Sequence, residues 1–233
     1  YATAVQNLSS NKGDINIAGY SSQTTEVGAG GSVMNKAWNP GDIALQSIAS
    51  NVGKVEVKKS GSSKQSAYIS GNVVNQALGA GSPSKCDKDC DDAALAVQSL
   101  SSNVGNVTIS GESTQHTSIV GGAVGNTAFG AGAVAIQSLA TNIGMVDIAG
   151  KSHQAVDLHK TTVTNFANGA DTTAVQNLAS NYDGVKIKQG GHSDQTVTGN
   201  GGTISNEATG KYAQAFQNLS SNFGDVTISG YSS

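Results

Sequence analysis

An eight-residue tract, AVQNLSSN in its first copy, constrains the fold of this chain more than any other feature. The copies begin at Ala4, Ala44, Ala96, Ala135, Ala174 and Ala215. Every copy keeps Ala-x-Gln and an Asn five residues after the Gln. Repeats of about 40 residues are typical of solenoids, in which each unit packs on the next. The sequence therefore predicts a stack of similar units.

Each copy continues with a glycine and a [Val/Ile]-x-[Val/Ile] pair, and the first five copies go on to a second Gln and then [Val/Ile]-x-Asn-x-Ala. The first glutamines are Gln6, Gln46, Gln98, Gln137, Gln176 and Gln217, and the later asparagines are Asn35, Asn75, Asn126, Asn165 and Asn206. The resulting repeats are 1–41, 42–92, 93–132, 133–171 and 172–212, followed by a half repeat, 213–233. We interpret residues 1–233 as a single repeat domain.

Within a unit the recurring residues occupy every second position, and the residues between them vary. This alternation is typical of a β-strand with one inner and one outer face. The sequence thus predicts an all-β fold, a β-solenoid of stacked strand-turn-strand coils with parallel, in-register sheets. Because the two halves of a unit resemble each other, we expect coils of about 20 residues, eleven in all, in a rod of roughly 50 Å. A single wider coil of about 40 residues per unit is the alternative.

The invariant glutamines and asparagines are predicted to face inwards, because outer positions change between copies and these do not. A buried amide is costly unless it is hydrogen-bonded. Identical amides stacked in register can bond to the copies above and below and form ladders. The alternative interpretation is that they are ordinary polar residues on the surface.

The composition narrows the possible partners. Charged residues make up 12% of the chain and the formal net charge is −3, so no basic surface for nucleic acid is expected. No apolar run approaches the ~20 residues of a membrane-spanning helix. The chain starts at Tyr1 without an initiator Met or leader, as expected for a processed product or a trimmed one. We expect an extracellular or cell-surface location.

An insert at 82–92 lengthens the second repeat and carries both cysteines, Cys86 and Cys90. Two cysteines in a secreted chain favour a local disulfide, which would shape a projecting loop. Free thiols are a second interpretation. A metal site is a third, but neither a calcium-loop pattern nor a zinc pattern accompanies the acidic residues of the insert.

The sequence indicates no catalytic, cofactor-binding or metal-binding residues, so we do not expect an enzyme. It has neither a Gly-x-Ser-x-Gly elbow nor a phosphate-binding glycine loop, and its four histidines fall at different offsets within the repeats. The functions to be weighed are a structural fibre subunit, a monomeric or trimeric surface adhesin or binding solenoid, and an enzyme on a parallel β-helix. The last requires a cluster of Asp, Lys or Arg on one face, which the repeats do not provide.

The Ser-x-Gln and Val-x-Asn-x-Ala words resemble those of curlin, the subunit of curli fibres. Residues 99–107 (SLSSNVGNV) resemble the repeats of the Fap fibrillin of functional amyloid. The resemblance covers nearly the whole chain but uses short words, and the chain departs from both families in its contiguous units and its C-x-x-x-C insert. It implies a secreted bacterial subunit that polymerises in a biofilm matrix, as fimbriae and other adhesive fibres do.

The last strand predicts how copies of the chain associate. Its edge, Val226, Thr227, Ile228 and Ser229, presents backbone N–H and C=O groups that can pair with another chain. No capping sequence is recognised at either end. We therefore expect a homopolymer in which copies stack head to tail.

Overall fold

The computed structural model describes residues 2–38, 42–79 and 94–233, which fold into 25 β-strands without any helix. The sheets are parallel and the strands pair in register, so the described part of the chain is a β-solenoid, as the repeats predict. The insert with Cys86 and Cys90 lies outside the described residues, and its disulfide stays a prediction.

Each repeat contributes the same series of strands. The first coil holds β1 (Thr3–Leu8), β2 (Asn11–Lys12), β3 (Ile15–Ile17), β4 (Tyr20–Val27) and β5 (Ser32–Ala37). The second holds β6 (Ile43–Ile48), β7 (Asn51–Val52), β8 (Val55–Val57), β9 (Ser62–Ile69) and β10 (Asn72–Leu78). The third holds β11 (Leu95–Leu100), β12 (Asn103–Val104), β13 (Val107–Ile109), β14 (Glu112–Val120) and β15 (Ala123–Phe129).

In the remaining coils some neighbouring strands merge. The fourth coil holds β16 (Val134–Leu139), β17 (Asn142–Ile143), β18 (Val146–Ile148) and β19 (Lys151–Asn168). The fifth holds β20 (Thr173–Tyr182), β21 (Val185–Ile187) and β22 (His192–Thr209), and the half coil holds β23 (Gln214–Phe223), β24 (Val226–Ile228) and β25 (Tyr231–Ser232).

The strand register shows that one coil is a whole repeat. Gln46 pairs with Gln6 and with Gln98, which are 40 and 52 residues away. The preferred expectation of 20-residue coils is therefore wrong, and the wider coil of about 40 residues is right. The two halves of a repeat lie across from each other in one coil rather than on top of each other. Five and a half coils at ~4.8 Å give a rod of roughly 25 Å, half the expected length.

Three sheets run along the rod. The front sheet contains β1, β2 and their counterparts in later coils, the apex sheet contains β3 and its counterparts, and the back sheet contains β4, β5 and their counterparts. Front and back sheets face each other across a thin core, and the apex sheet closes one side. The hydrophobic core accordingly divides into three clusters. Alanines fill the side opposite the apex sheet, Leu, Ile and Val side chains dominate the middle, and Val and Ile fill the apex.

A bend with positive φ interrupts the front strand in every coil. The residues in this conformation are Ser9, Ala49, Ser101, Ala140, Ala179 and Ser220, with φ between 37° and 50°. One residue in the left-handed region shifts the inward–outward alternation by one place. Leu100 and Asn103 therefore both face the core although they are three residues apart. A regular strand would instead place Ser102, two residues after Leu100, on the inner face and Asn103 on the outer face.

Candidate functional site

The six glutamines of the AVQNLSSN tracts form a continuous ladder inside the rod. Each one after Gln6 donates a hydrogen bond from Nε2 to the Oε1 of the glutamine in the preceding coil, at 2.6 to 2.8 Å. The Nε2 of Gln137 also donates to the backbone oxygen of Thr164 on the back sheet, at 3.1 Å. Gln98, Gln137 and Gln176 are completely buried. Both polar atoms of an inner glutamine therefore have partners, as a buried amide requires.

The asparagines of the Val-x-Asn-x-Ala words form a second ladder, which runs in the opposite direction. Each one before Asn206 donates from Nδ2 to the Oδ1 of the asparagine in the following coil, at 2.8 to 2.9 Å. Asn126 Nδ2 also lies 3.0 Å from the backbone oxygens of Ala96 and Ile136, which belong to successive front strands. This ladder thus ties the back sheet to the front sheet as well as coil to coil.

A third ladder was not singled out from the sequence. It consists of the last asparagines of the tracts, Asn11, Asn51, Asn103, Asn142, Asn181 and Asn222, which donate to the following coil at 2.7 to 3.0 Å. These residues recur in all six copies, but they follow the ladder glutamines by five residues, an odd number, so strict alternation does not place them on the inner face. The positive-φ bend is what aims them at the core.

Hydroxyl groups satisfy the backbone at that bend. Ser50 Oγ donates to the backbone oxygen of Ile48 at 3.0 Å and accepts the backbone N–H of Ser102 at 3.2 Å. The Oγ of Ser102 accepts the N–H of Thr141 in the same way. Ser or Thr at this position therefore links each coil to the next and explains why the residue before the last asparagine always carries a hydroxyl.

The second glutamine of each repeat makes no Gln–Gln ladder. Gln115 donates only to Ser113 Oγ, at 2.7 Å, whereas Gln154 donates to Ser152 Oγ and to Asn181 Oδ1, both at 2.9 Å. Within the described residues, the Oε1 atoms of Gln115 and Gln154 are buried and accept no hydrogen bond. The two kinds of buried glutamine are therefore not equivalent energetically.

The ladders leave different atoms at the two ends of the 233-residue rod. In the first coil, Gln6 Nε2 and Asn11 Oδ1 have no ladder partner among the described residues, because each ladder starts there. In the last coil, Gln217 Oε1 is the corresponding atom that receives no donor from the described part of the chain. One end thus presents a glutamine donor and the other a glutamine acceptor.

The predicted edge at Val226, Thr227, Ile228 and Ser229 is the outer side of β24, which pairs with β21 on its other side. Ser229 donates its backbone N–H to Ile187 O at 2.8 Å, back towards the rod. The residue equivalent to Val226 in the preceding coil, Val185, donates its N–H to Asp225 O in the following coil. By this alternation, the N–H groups of Val226 and Ile228 point away from the rod, whereas those of Thr227 and Ser229 do not.

Polar side chains on the outer faces of the described residues make cross-strand contacts. On the back sheet, Asp157 accepts a hydrogen bond from Thr198 Oγ1 and lies 2.9 Å from His116 Nε2. The Thr198 hydroxyl lowers the pKa of Asp157, burial partly opposes the shift, and His116 lowers the pKa further. These groups sit on an open sheet surface as cross-strand neighbours.

No protein-family model, curated protein or solved structure matches this chain. In the described residues no three His, Cys, Asp or Glu side chains are grouped in a way that could hold a metal ion. The described part also has no helix that is long and apolar enough to cross a membrane.

Proposed function

We propose that this protein is a structural subunit that polymerises head to tail into an extracellular fibre. The observation that carries the proposal is the internal structure, which repeats with the same side chains from the first coil to the last half coil. Such a rod can be extended by another copy without any change in its interior. The composition, the secreted character expected from it and the resemblance to curlin and Fap fibrillin support an adhesive or matrix fibre rather than a catalyst.

The direction of the ladders favours head-to-tail contact. When the first coil of one copy meets the last coil of another, Gln6 Nε2 faces a glutamine Oε1, that of Gln217. Asn222 Nδ2 likewise meets Asn11 Oδ1, because that ladder donates in the opposite direction. Contact between two first coils would instead set donor against donor and acceptor against acceptor. Buried polar groups without partners are costly, so only the head-to-tail arrangement continues the glutamine ladder and the ladder that ends at Asn222.

The backbone supports the same arrangement. The N–H groups of Val226 and Ile228 point away from the rod, and the strands of the first coil present the carbonyl oxygens of a parallel edge. A contact between two different surfaces of identical subunits propagates into a filament unless its rotation closes a ring. The expected product is a fibre in which the front and apex sheets are continuous.

Replacing Val226 by proline tests this joint. We expect filaments of the 233-residue chain in negative-stain electron microscopy, and we expect Val226→Pro to remove them or shorten them strongly. Proline removes the outward N–H group and places its ring where the next copy docks, but an edge strand tolerates it because no internal bond is lost. Circular dichroism should show that the β content is unchanged.

The matched control is Val226→Thr, which keeps both the N–H group and the branched side chain and should still form long filaments. Filaments of normal length from Val226→Pro would show that this edge is not the joint. If the unsubstituted chain gave only discrete rods or trimers at high concentration, the fibre proposal would be wrong, and a surface adhesin or binding solenoid would replace it.

A further inference from the structure

The outer face of the front sheet carries an apolar row that runs along the whole rod. It is formed by the residue between the inward Ala and Gln of each tract, which pairs in register from coil to coil. Its members are Val5, Leu45, Val97, Ile136, Val175 and Phe216. Val5 and Phe216, at the two ends of the row, are 51% and 47% exposed, and the four members between them are half-buried, so the row faces solvent. We call it the first outer row.

A second apolar row lies beyond the bend on the same sheet. It follows the inward asparagines and consists of Lys12, Val52, Val104, Ile143, Tyr182 and Phe223. The rings of Tyr182 and Phe223 stack with centroids 5.1 Å apart and an angle of 9° between their planes. Five of the six members are therefore apolar or aromatic. We call the six positions together the second outer row.

Charge is distributed unevenly around the rod. In the strands of the front sheet, Lys12 is the single charged residue. The outer positions of the apex sheet include Glu56, Asp147 and Lys186. On the back sheet, the single strand β19 already contains lysine, histidine and aspartate side chains. Such an apolar and uncharged face is unusual on a soluble β-sheet surface, where charged residues normally limit contact between sheets.

Several polar groups between the two outer rows are already bonded within the rod, whereas the buried Ser138 Oγ has no hydrogen-bond partner among the described residues. Ser102 Oγ donates to Leu100 O at 2.8 Å, and Asn218 Nδ2 donates to Asn177 Oδ1 at 2.8 Å. Asn177 and Ser99 are buried in the crease although they belong to the outer side of the strand. Covering this face therefore displaces water mainly from apolar side chains, which is favourable.

We propose that the front sheet of a second copy of this chain packs against this face, so that two filaments pair side by side. The occupant fits because its own outer rows repeat at the same ~4.8 Å spacing, and only Lys12 would lose water from a charge. An identical face related by a two-fold axis is complementary to itself. This inference rests on the proposed fibre, and it adds the lateral partner to the axial one.

The size of the face explains why pairing belongs to the filament. One chain offers roughly 25 Å along the rod and about 28 Å along the strands, or about 700 Å². Stable protein pairs bury about 800 Å² on each partner, so one subunit alone provides a weak contact. In a filament the contacts of successive subunits add up, because they are linked and cannot dissociate independently. Soluble chains should therefore pair weakly and filaments strongly.

The test is the double substitution Val97→Lys and Val175→Lys, which places two charges in the first outer row. Electron microscopy should show predominantly paired filaments for the unsubstituted chain and predominantly single filaments for the variant, with the same length distribution. The matched control is Thr108→Lys with Thr127→Lys, at outward positions of the apex and back sheets. It adds the same charge elsewhere and should leave the pairs intact.

A second variant, Val97→Thr with Val175→Thr, guards against loss of folding, because threonine keeps the branched shape that suits a strand. It should reduce the paired fraction and leave the melting midpoint nearly unchanged. Single filaments from the unsubstituted chain, or pairs that survive both variants, would overturn the lateral contact while leaving the fibre in place. If the unsubstituted chain formed single filaments and bound uncharged lipid vesicles, the face would be assigned to a membrane surface. That result would also overturn the lateral contact.

If no filaments form, the fibre proposal fails, and sedimentation of the soluble chain decides the lateral contact separately. A concentration-dependent dimer that is lost in the lysine variant, but kept in Thr108→Lys with Thr127→Lys, would support it. A monomer at every concentration would overturn it.

Discussion

Replacing Gln137 by leucine should lower the free energy of unfolding by about 3–6 kcal/mol. The change leaves Gln98 Oε1 buried without a partner, at roughly 1–3 kcal/mol. Gln176 Nε2 keeps only its bond to Ser205 O and Thr164 O loses a donor, at about 1–1.5 kcal/mol for each lost hydrogen bond. Leucine fills a similar volume, so the loss reports the broken ladder rather than a cavity. Chemical denaturation followed by circular dichroism measures the effect as a shift of the midpoint.

The matched control for this experiment is Gln115→Leu. Both glutamines are completely buried, but Gln115 makes a single hydrogen bond, to Ser113 Oγ, and its Oε1 accepts none from the described residues. Ser113 Oγ keeps a donor, Asn103 Nδ2 at 3.2 Å. We expect a loss of about 1 kcal/mol or less. Equal shifts for the two variants would show that the ladder contributes nothing beyond the burial of an amide.

Replacing Gly105 by alanine should be at least as damaging. A Cβ atom at this position would lie 2.0 Å from the backbone oxygen of Gly53 in the preceding coil, and φ is +123°. Neither backbone can move without separating the two coils along the rod. We expect a loss of about 3 kcal/mol or more from the steric conflict, in addition to about 1–3 kcal/mol for the backbone conformation. Thermal unfolding and limited proteolysis should both show a weakened third coil.

Two controls separate the contributions. Gly13 has φ +113° and no atom within 4 Å of an added Cβ, so Gly13→Ala reports the backbone conformation without the conflict. Gly121 belongs to the same coil as Gly105, has φ +67° and has no atom within 4 Å of an added Cβ. Gly121→Ala therefore shows what a glycine-to-alanine change with positive φ costs in the third coil without the steric conflict. If all three variants unfolded at the same midpoint, the close approach of successive coils would not limit this position.

Much of the interior could be predicted from the sequence because repetition shows which positions are constrained. The Gln137 and Asn126 positions do not vary between copies, whereas the residues beside them do. Buried amides that lie in register avoid the free-energy cost of unpaired polar groups by hydrogen-bonding to the same residue in the neighbouring coils. The same reasoning failed for Asn103 and Ser102, since strict alternation gives no sign of the positive-φ residue that shifts the pattern between Leu100 and Asn103.

The outer rows were hidden for a related reason. Positions such as Val97 and Val104 vary in identity and were therefore grouped with the variable outer face. What they keep is their apolar character, and that becomes visible only when the register places them in one line. A row along a rod is a property of stacking, because its members are about 40 residues apart in the chain.

By itself the sequence determined the number of repeats, the parallel in-register stacking and the inward amides, because each of these follows from residues that recur at fixed spacing. Only the tertiary structure decided the size of the coil. The two halves of a repeat share a local pattern, and a local pattern does not specify whether similar halves stack or face each other. The choice is made by long-range contacts: Asn126 bonds to both Ala96 and Ile136 across the core, and Gln98 reaches the back sheet at Gly125. These contacts exist only when the halves lie on opposite sides of one coil.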